Sequence, residues 1–201
     1  GGNGGTAFVV DSHTILTAAH VLYNYDLHSI VRNLKFKVFN QYDVATDVVV
    51  TPKSYHIPDN FCDSPDSDSN GIYDYIPEWD YAIVTVEEDL SEYINFDVGL
   101  MRSGNMNQQV YVTGFGGSGN NALDSAHVNP SWVKTKTTGV GYLMEDNPYS
   151  DYFICYDTDM VGGDSGGPVW VKDYATGKMT VIGINIFTSI NYDANGNPIE
   201  N

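Results

Sequence analysis

The chain is poor in cysteine, and poor in basic residues relative to acidic ones. Two cysteines in 201 residues, Cys62 and Cys155, make no disulfide framework; they either pair with each other or stay as thiols. Lysine and arginine number 9 against 26 aspartates and glutamates, a formal net charge of -17. So acidic a chain argues against nucleic acid and anionic membrane as partners, because both need a positive face. The acidity either concentrates cations and cationic substrates or serves only to keep the surface solvated. No apolar run approaches the length of a membrane span. The opening Gly1-Gly2-Asn3-Gly4-Gly5 has neither the basic nor the apolar region of a signal peptide, and a processed segment or a trimmed fragment would begin the same way. Long amphipathic helices are missing too.

What is present is strand and turn. Fifteen tyrosines favour strands and twenty glycines punctuate them. Short apolar runs recur at Thr6–Val10, Thr14–His20 and Thr46–Thr51, and Leu34, Phe36 and Val38 alternate with Lys35 and Lys37 as in a half-buried strand. Residues Pro58–Pro77 interrupt the pattern with a polar, acidic surface excursion, and the strand pattern returns at Tyr81–Val86. Residues Glu87–Asn107 are irregular and read as a connection between two halves. The second half has strand runs at Gln109–Gly117, Val133–Leu143, Tyr152–Tyr156, Val169–Lys172 and Met179–Phe187. The expected fold is all-β, with paired barrels from residues 1–100 and 101–201.

One segment stands apart. Gly162-Gly163-Asp164-Ser165-Gly166-Gly167-Pro168 places a hydroxyl among four glycines, where helix and strand are both unfavourable. A sharp turn that points backbone N–H groups outward around a serine builds a nucleophile and its oxyanion hole together. The alternative is a glycine-rich turn with an incidental serine. A nucleophile needs a base and an orienting acid. His13, His28, His56 and His127 lie in polar, turn-like surroundings and read as surface residues. His20 ends an apolar strand after Ala18 and Ala19, whose small side chains leave room for the imidazole, although a strand-end histidine is often merely structural. Asp80 is wedged between Trp79 and Tyr81 where an apolar strand begins, so its carboxylate is expected to be partly buried and to need a hydrogen-bonding partner. Together these give a Ser165 nucleophile, a His20 general base and acid, and an Asp80 orienter, in the chain order His, Asp, Ser.

Leu16-Thr17-Ala18-Ala19-His20, Trp79-Asp80-Tyr81-Ala82 and Gly163-Asp164-Ser165-Gly166-Gly167-Pro168 resemble the three signature segments of chymotrypsin-like (trypsin-family) serine proteases. Gly4–Val9 is similar to the strand leading to the catalytic histidine, and Val112–Gly116 to the strand and turn that open the second barrel. No cysteine comes directly after His20, and Tyr156-Asp157-Thr158 precedes the serine; both lean towards the bacterial, glutamyl-endopeptidase-like branch. The resemblance implies two six-stranded antiparallel Greek-key barrels with the active site between them, incomplete at both chain ends. It implies a secreted serine endopeptidase acting on protein or peptide substrates, with Gly163 and Ser165 N–H groups as oxyanion donors and no required cofactor.

The resemblance also implies where substrate is read. Six residues before the serine, at the pocket base, stands Asp159, which would attract Arg or Lys at P1, unless it points away and caps a turn. Glutamyl-specific relatives usually carry a histidine after Gly-Ile in the strand following the serine; here the residues are Gly183-Ile184-Asn185. Thr188 stands where trypsin-like enzymes keep a glycine, which would narrow the entrance. Asp164 is the acid that pairs with a freed N-terminal amine in trypsin-type members, a partner not obvious in this chain. In the excursion, Asp66, Asp68 and Asn70 begin a D-x-D-x-N-G calcium-loop pattern that lacks its closing Glu, so Ca2+ as a structural ion competes with a solvated acidic loop.

Two other classes share some of these features. A binding or adhesion module could keep the fold without activity, against which the intact triad argues. An esterase would share the Gly-x-Ser-x-Gly pattern at 163–167, but the all-β reading and the triad order oppose it.

Overall fold

Alternation of apolar and polar residues turns the first third of the chain into strands, as expected. In a computed structural model that describes residues 4–24, 28–39, 45–63, 76–99, 108–116, 137–142, 153–156 and 162–186, β1 (Ala7–Asp11) and β2 (Thr14–Thr17) form an antiparallel hairpin. The hairpin turn is fixed by the His13 N–H donating to Asp11 Oδ1 at 2.8 Å. Phe8 and Ile15 face inward. The chain then makes a single helical turn, α1 (Ala19–Leu22), so His20 belongs to this turn and does not end the strand as the apolar run implied. Ala18 and Ala19 are fully buried beside it.

Short ribbons follow: β3 (Tyr23–Asn24) with β4 (Ser29–Ile30), and β5 (Phe36–Phe39) with β6 (Ala45–Val50). Strand β7 (Ser54–His56) is exposed at every residue, and α2 (Asp59–Cys62) is a second single turn. Then β8 (Ala82–Thr85) pairs with β2, and the first sheet has the order β1-β2-β8-β7. Beyond it lie β9 (Asp97–Val98), β10 (Gln109–Gly114), β11 (Thr137–Tyr142), β12 (Pro168–Lys172) and β13 (Met179–Ile184). These form a second sheet of order β11-β10-β12-β13-β9, antiparallel except where β9 joins β13 in parallel.

The all-β expectation therefore holds. Two closed six-stranded barrels are not traced among the described residues: the ladders there form a four-stranded sheet, a five-stranded sheet and two ribbons. Side chains nevertheless wrap the first sheet from several directions. Ile15, Leu22, Val50, Phe61, Val84 and Leu90 form one buried cluster, with Phe36 of the β5–β6 ribbon packed against it. Phe61 shows how the polar excursion begins, because α2 plants one aromatic ring in the core. A second, smaller cluster of Val110, Val112 and Val169 underlies the second sheet. Residue 97 falls within the segment assigned to the first half, yet β9 completes the second sheet, so the link from Glu87 onward is shared between them. The Tyr152–Tyr156 run is not a ladder strand in its described part; it holds an isolated bridge at Tyr156.

Cys62 and Cys155 are not joined in a disulfide. Both are half-buried, and burial pushes each thiol above its usual pKa, aided at Cys62 by Asp63 and Asp59.

Leu22 is fully buried between the helical turn and the first core. Leu22→Ala should cost about 2–5 kcal/mol, the usual range for a truncated core leucine, read as a lower denaturant midpoint with an unchanged slope.

Candidate active site

The helical turn after β2 and the 3-10 turn before β8 bring His20 and Asp80 together. The turn at Pro77–Trp79 carries the chain into Asp80 with its N–H bonded to Pro77 O at 3.1 Å, which aims the side chain inward. The Asp80 side chain has no exposed surface, and both of its oxygens engage His20. Oδ1 accepts the His20 backbone N–H at 2.9 Å, and Oδ2 accepts from the ring Nδ1 at 2.6 Å. A carboxylate can only accept here, so Nδ1 carries the proton and Nε2 is left with its lone pair. The imidazole is 29% exposed and can therefore be reached from solvent. His13, His28 and His56 are exposed, as their surroundings implied, and His127 lies outside the described residues.

The serine segment is a tight loop between β11 and β12 in chain order. Gly163 has φ 104 and Gly166 φ 85, left-handed values that favour glycine. At Gly166 a Cβ would also lie 2.2 Å from Thr17 Oγ1 and from Thr6 O, and 3.0 Å from Ala18 N. The loop is thus pressed against the strand end that leads to His20. Three successive peptide carbonyls in it are held: Gly163 O by the Thr6 hydroxyl at 2.8 Å, Asp164 O by Gly167 N–H at 3.0 Å, and Ser165 O by Thr6 N–H at 2.8 Å. Peptide planarity then fixes the Ser165 N–H opposite to the bound Asp164 carbonyl. The N–H groups of Gly163 and Ser165 have no acceptor among the described residues, whereas that of Gly166 is bonded to Asn185 O at 2.7 Å. Two N–H groups without an acceptor there, beside a half-buried serine, are donors of the kind an oxyanion needs.

Asp164, for which no partner was legible, is buried against the turn that follows β10. Its Oδ1 accepts the Gly116 N–H at 2.8 Å. The carboxylate can enter only because residue 114 is glycine: a Cβ there would stand 2.1 Å from Asp164 Oδ1.

The expected substrate residues are placed unevenly. Asp159 and Thr188 lie outside the described residues, as do Asp66, Asp68 and Asn70 of the calcium-loop pattern. Among the described residues no cluster of His, Cys, Asp or Glu is arranged to hold a metal ion. Asn185 is among the described residues and lies inside the protein. It is 1% exposed, and its side-chain oxygen accepts the Tyr156 hydroxyl at 2.7 Å. Its backbone N–H and C=O bond Gly167 and Gly166, so Asn185 braces the serine loop from behind. Burial, with Cys155 and Asp164 nearby, pushes the Tyr156 hydroxyl far above its ordinary pKa, so it remains a donor to Asn185.

A family model, that of the trypsin-like peptidase domain, matches residues 5–184. The chain belongs to the trypsin-like peptidase family. Solved structures agree on the fold. A Glu endopeptidase in complex with MPD superposes with TM-score 0.58 at 13% identity, covering 89% of this chain and 78% of that one. The protease Anisep from Arthrobacter nicotinovorans superposes with TM-score 0.58 at 17% identity, covering 92% and 77%. The thermostable serine protease AL20 from an extremophilic microorganism gives TM-score 0.58 at 16% identity, covering 92% and 78%. No curated protein matches the chain at a significant level. Identities this low carry the chymotrypsin-like fold and nothing finer. The trypsin-like peptidase is accordingly a serine-type endopeptidase, a hydrolase acting on protein or peptide substrates.

The Gly114–Asp164 contact is a sharp place to test the peptidase's loop. Gly114→Ala should destabilise by about 1–3 kcal/mol through overpacking, and chemical denaturation should show the loss. A variant as stable as the parent would mean that Asp164 does not occupy this position.

Proposed function

We propose that the peptidase cleaves through a triad of Ser165, His20 and Asp80, with the N–H groups of Gly163 and Ser165 as the oxyanion hole. The observation that carries this reading is the double engagement of Asp80 with His20, through the ring at 2.6 Å and the backbone at 2.9 Å. That grip selects the tautomer whose Nε2 accepts a proton. Ser165 Oγ attacks the scissile carbonyl carbon while His20 Nε2 takes the hydroxyl proton. The carbonyl oxygen becomes an oxyanion facing the two N–H groups. The tetrahedral intermediate collapses as His20 gives the proton to the departing amine, leaving an acyl-serine. Water then attacks the ester, with His20 again taking and returning one proton, and the carboxylic product leaves. Asp80 remains ionised throughout and balances the transient imidazolium.

Ser165→Ala should lower kcat by about five orders of magnitude or more, with a melting temperature close to the parent's and no covalent labelling by a serine-directed phosphonate. Asp80→Asn should lower kcat by about four orders of magnitude. Hydrolysis or labelling retained by Ser165→Ala would remove Ser165 from the nucleophile's role.

For the residue before the scissile bond we propose a preference for Arg or Lys. The supports are Asp159, six residues before Ser165, and the chain's net charge of -17, which draws cationic substrates. A preference for Glu is the second reading, favoured by the likeness to a Glu endopeptidase. Against it stands Asn185, buried and without the charge that a histidine could supply. A set of fluorogenic peptides differing only at P1 should be cleaved fastest after Arg or Lys; fastest cleavage after Glu would reverse the assignment.

A further inference from the structure

Thr6 is an ordinary residue by sequence, a threonine between Gly5 and Ala7 at the entrance to β1. In the fold it is 2% exposed, and each of its polar groups is hydrogen-bonded. Its N–H donates to Ser165 O at 2.8 Å. Its hydroxyl donates to Gly163 O at 2.8 Å and accepts the Phe115 N–H at 2.9 Å. Its carbonyl accepts the Thr17 hydroxyl at 2.7 Å. Thr17 ends β2, three residues before His20, and Phe115 follows β10, next to the Gly116 N–H that holds Asp164.

We propose that Thr6 is a positioning residue for the peptidase reaction, a single clasp that sets the serine loop against the histidine-bearing turn. The inference rests on the reading of Ser165 and His20 as nucleophile and base. The physical argument is one of peptide planes. The carbonyls of Gly163 and Ser165 flank the Asp164–Ser165 peptide that carries one oxyanion donor, and both are bonded to Thr6. Freeing the Gly163 carbonyl loosens the run on one side, so that the Asp164–Ser165 peptide is held only through Gly167 N–H and the Ser165 carbonyl, and the Ser165 N–H shifts away from the reacting oxygen. The Thr17 bond adds the second coordinate, because the element that bonds the loop is itself tied to the strand end leading to His20. Thr6 touches no reacting atom; it acts by holding the groups that do. Buried hydrogen bonds whose partners cannot be replaced by water are costly to break one-sidedly, so the clasp has one arrangement.

Valine at position 6 keeps the shape and removes the hydroxyl, leaving Gly163 O and Phe115 N–H without their partner. With a good fluorogenic peptide and rates normalised to folded protein, Thr6→Val should lower kcat about 10–100-fold, the range for a misplacement of reacting groups by a fraction of an ångström to one ångström. KM should stay within about threefold, and phosphonate labelling should slow in parallel with kcat. Thr6→Ser, which restores the hydroxyl, should return kcat to within about threefold of the parent. A purely structural threonine would lower the melting temperature of Thr6→Val yet leave kcat of the folded fraction intact, and that result overturns the proposal. So does a Thr6→Ser variant as slow as Thr6→Val. If Thr6→Val does not fold, Thr17→Val carries the test from the other side of the clasp: a kcat lowered about 3–10-fold supports it, and an unchanged kcat overturns it. Ser165→Ala separates the two levels. An inert Ser165→Ala beside a full-rate Thr6→Val defeats only the role of Thr6, whereas an active Ser165→Ala defeats the nucleophile assignment itself.

Discussion

Removing a carboxylate from water is so unfavourable that a fold can do it only by supplying donors in fixed positions. Asp80 sets this condition for the peptidase. Its side chain is wholly enclosed, and its two oxygens are met by the ring and the backbone of one residue, His20. To meet that requirement the helical turn Ala19–Leu22 must sit beside the turn Pro77–Trp79, which in turn fixes β2 against β8 in the register Leu16↔Ile83 and Thr17↔Ala82. The apolar cluster of Ile15, Leu22, Val84 and Leu90 beneath them provides the low-polarity floor. Core packing and site geometry are therefore the same arrangement seen from two sides.

The serine loop obeys a different constraint. It contributes almost no apolar area and is rich in glycine, so packing alone cannot give it one shape. Hydrogen bonds do so from three directions: Thr6 from the first sheet, Asn185 from the end of β13, and the Gly116 turn after β10 through Asp164. The Asp164 carboxylate and the Asn185 side chain, bonded by Tyr156, are buried, and that burial stiffens the anchor that Ser165 stands on. Loop and histidine turn meet at Gly166, where Thr17 and Ala18 leave space only for a hydrogen.

How much of this was legible in the sequence differs from residue to residue. His20, Asp80 and Ser165 could be found because each carries a local signal: small alanines before the imidazole, aromatics around an acid, glycines around a hydroxyl. Strands β1, β2, β8, β10, β12 and β13 were visible in apolar runs. Strand β7 was not, since all three of its residues are exposed, nor was β9, whose two residues pair in parallel with a partner more than eighty residues away. The helical turn at His20 was hidden because Thr-Ala-Ala-His continues an apolar run that already reads as strand.

The chemistry available to this chain is written in its residue order: a glycine-bracketed hydroxyl, an imidazole and an acid in a recognisable order, on an all-β pattern. Such features depend on neighbours along the chain, and neighbours along the chain are what a sequence displays. Tertiary structure alone decided how they are held. The bonds from the Thr6 hydroxyl span 157 residues to Gly163 and 109 to Phe115, Asp164 finds Gly116 across 48, and Asn185 is drawn inward by Tyr156 across 29. No local pattern encodes those partners, because each is chosen by which backbone groups the two sheets leave facing one another after they have packed.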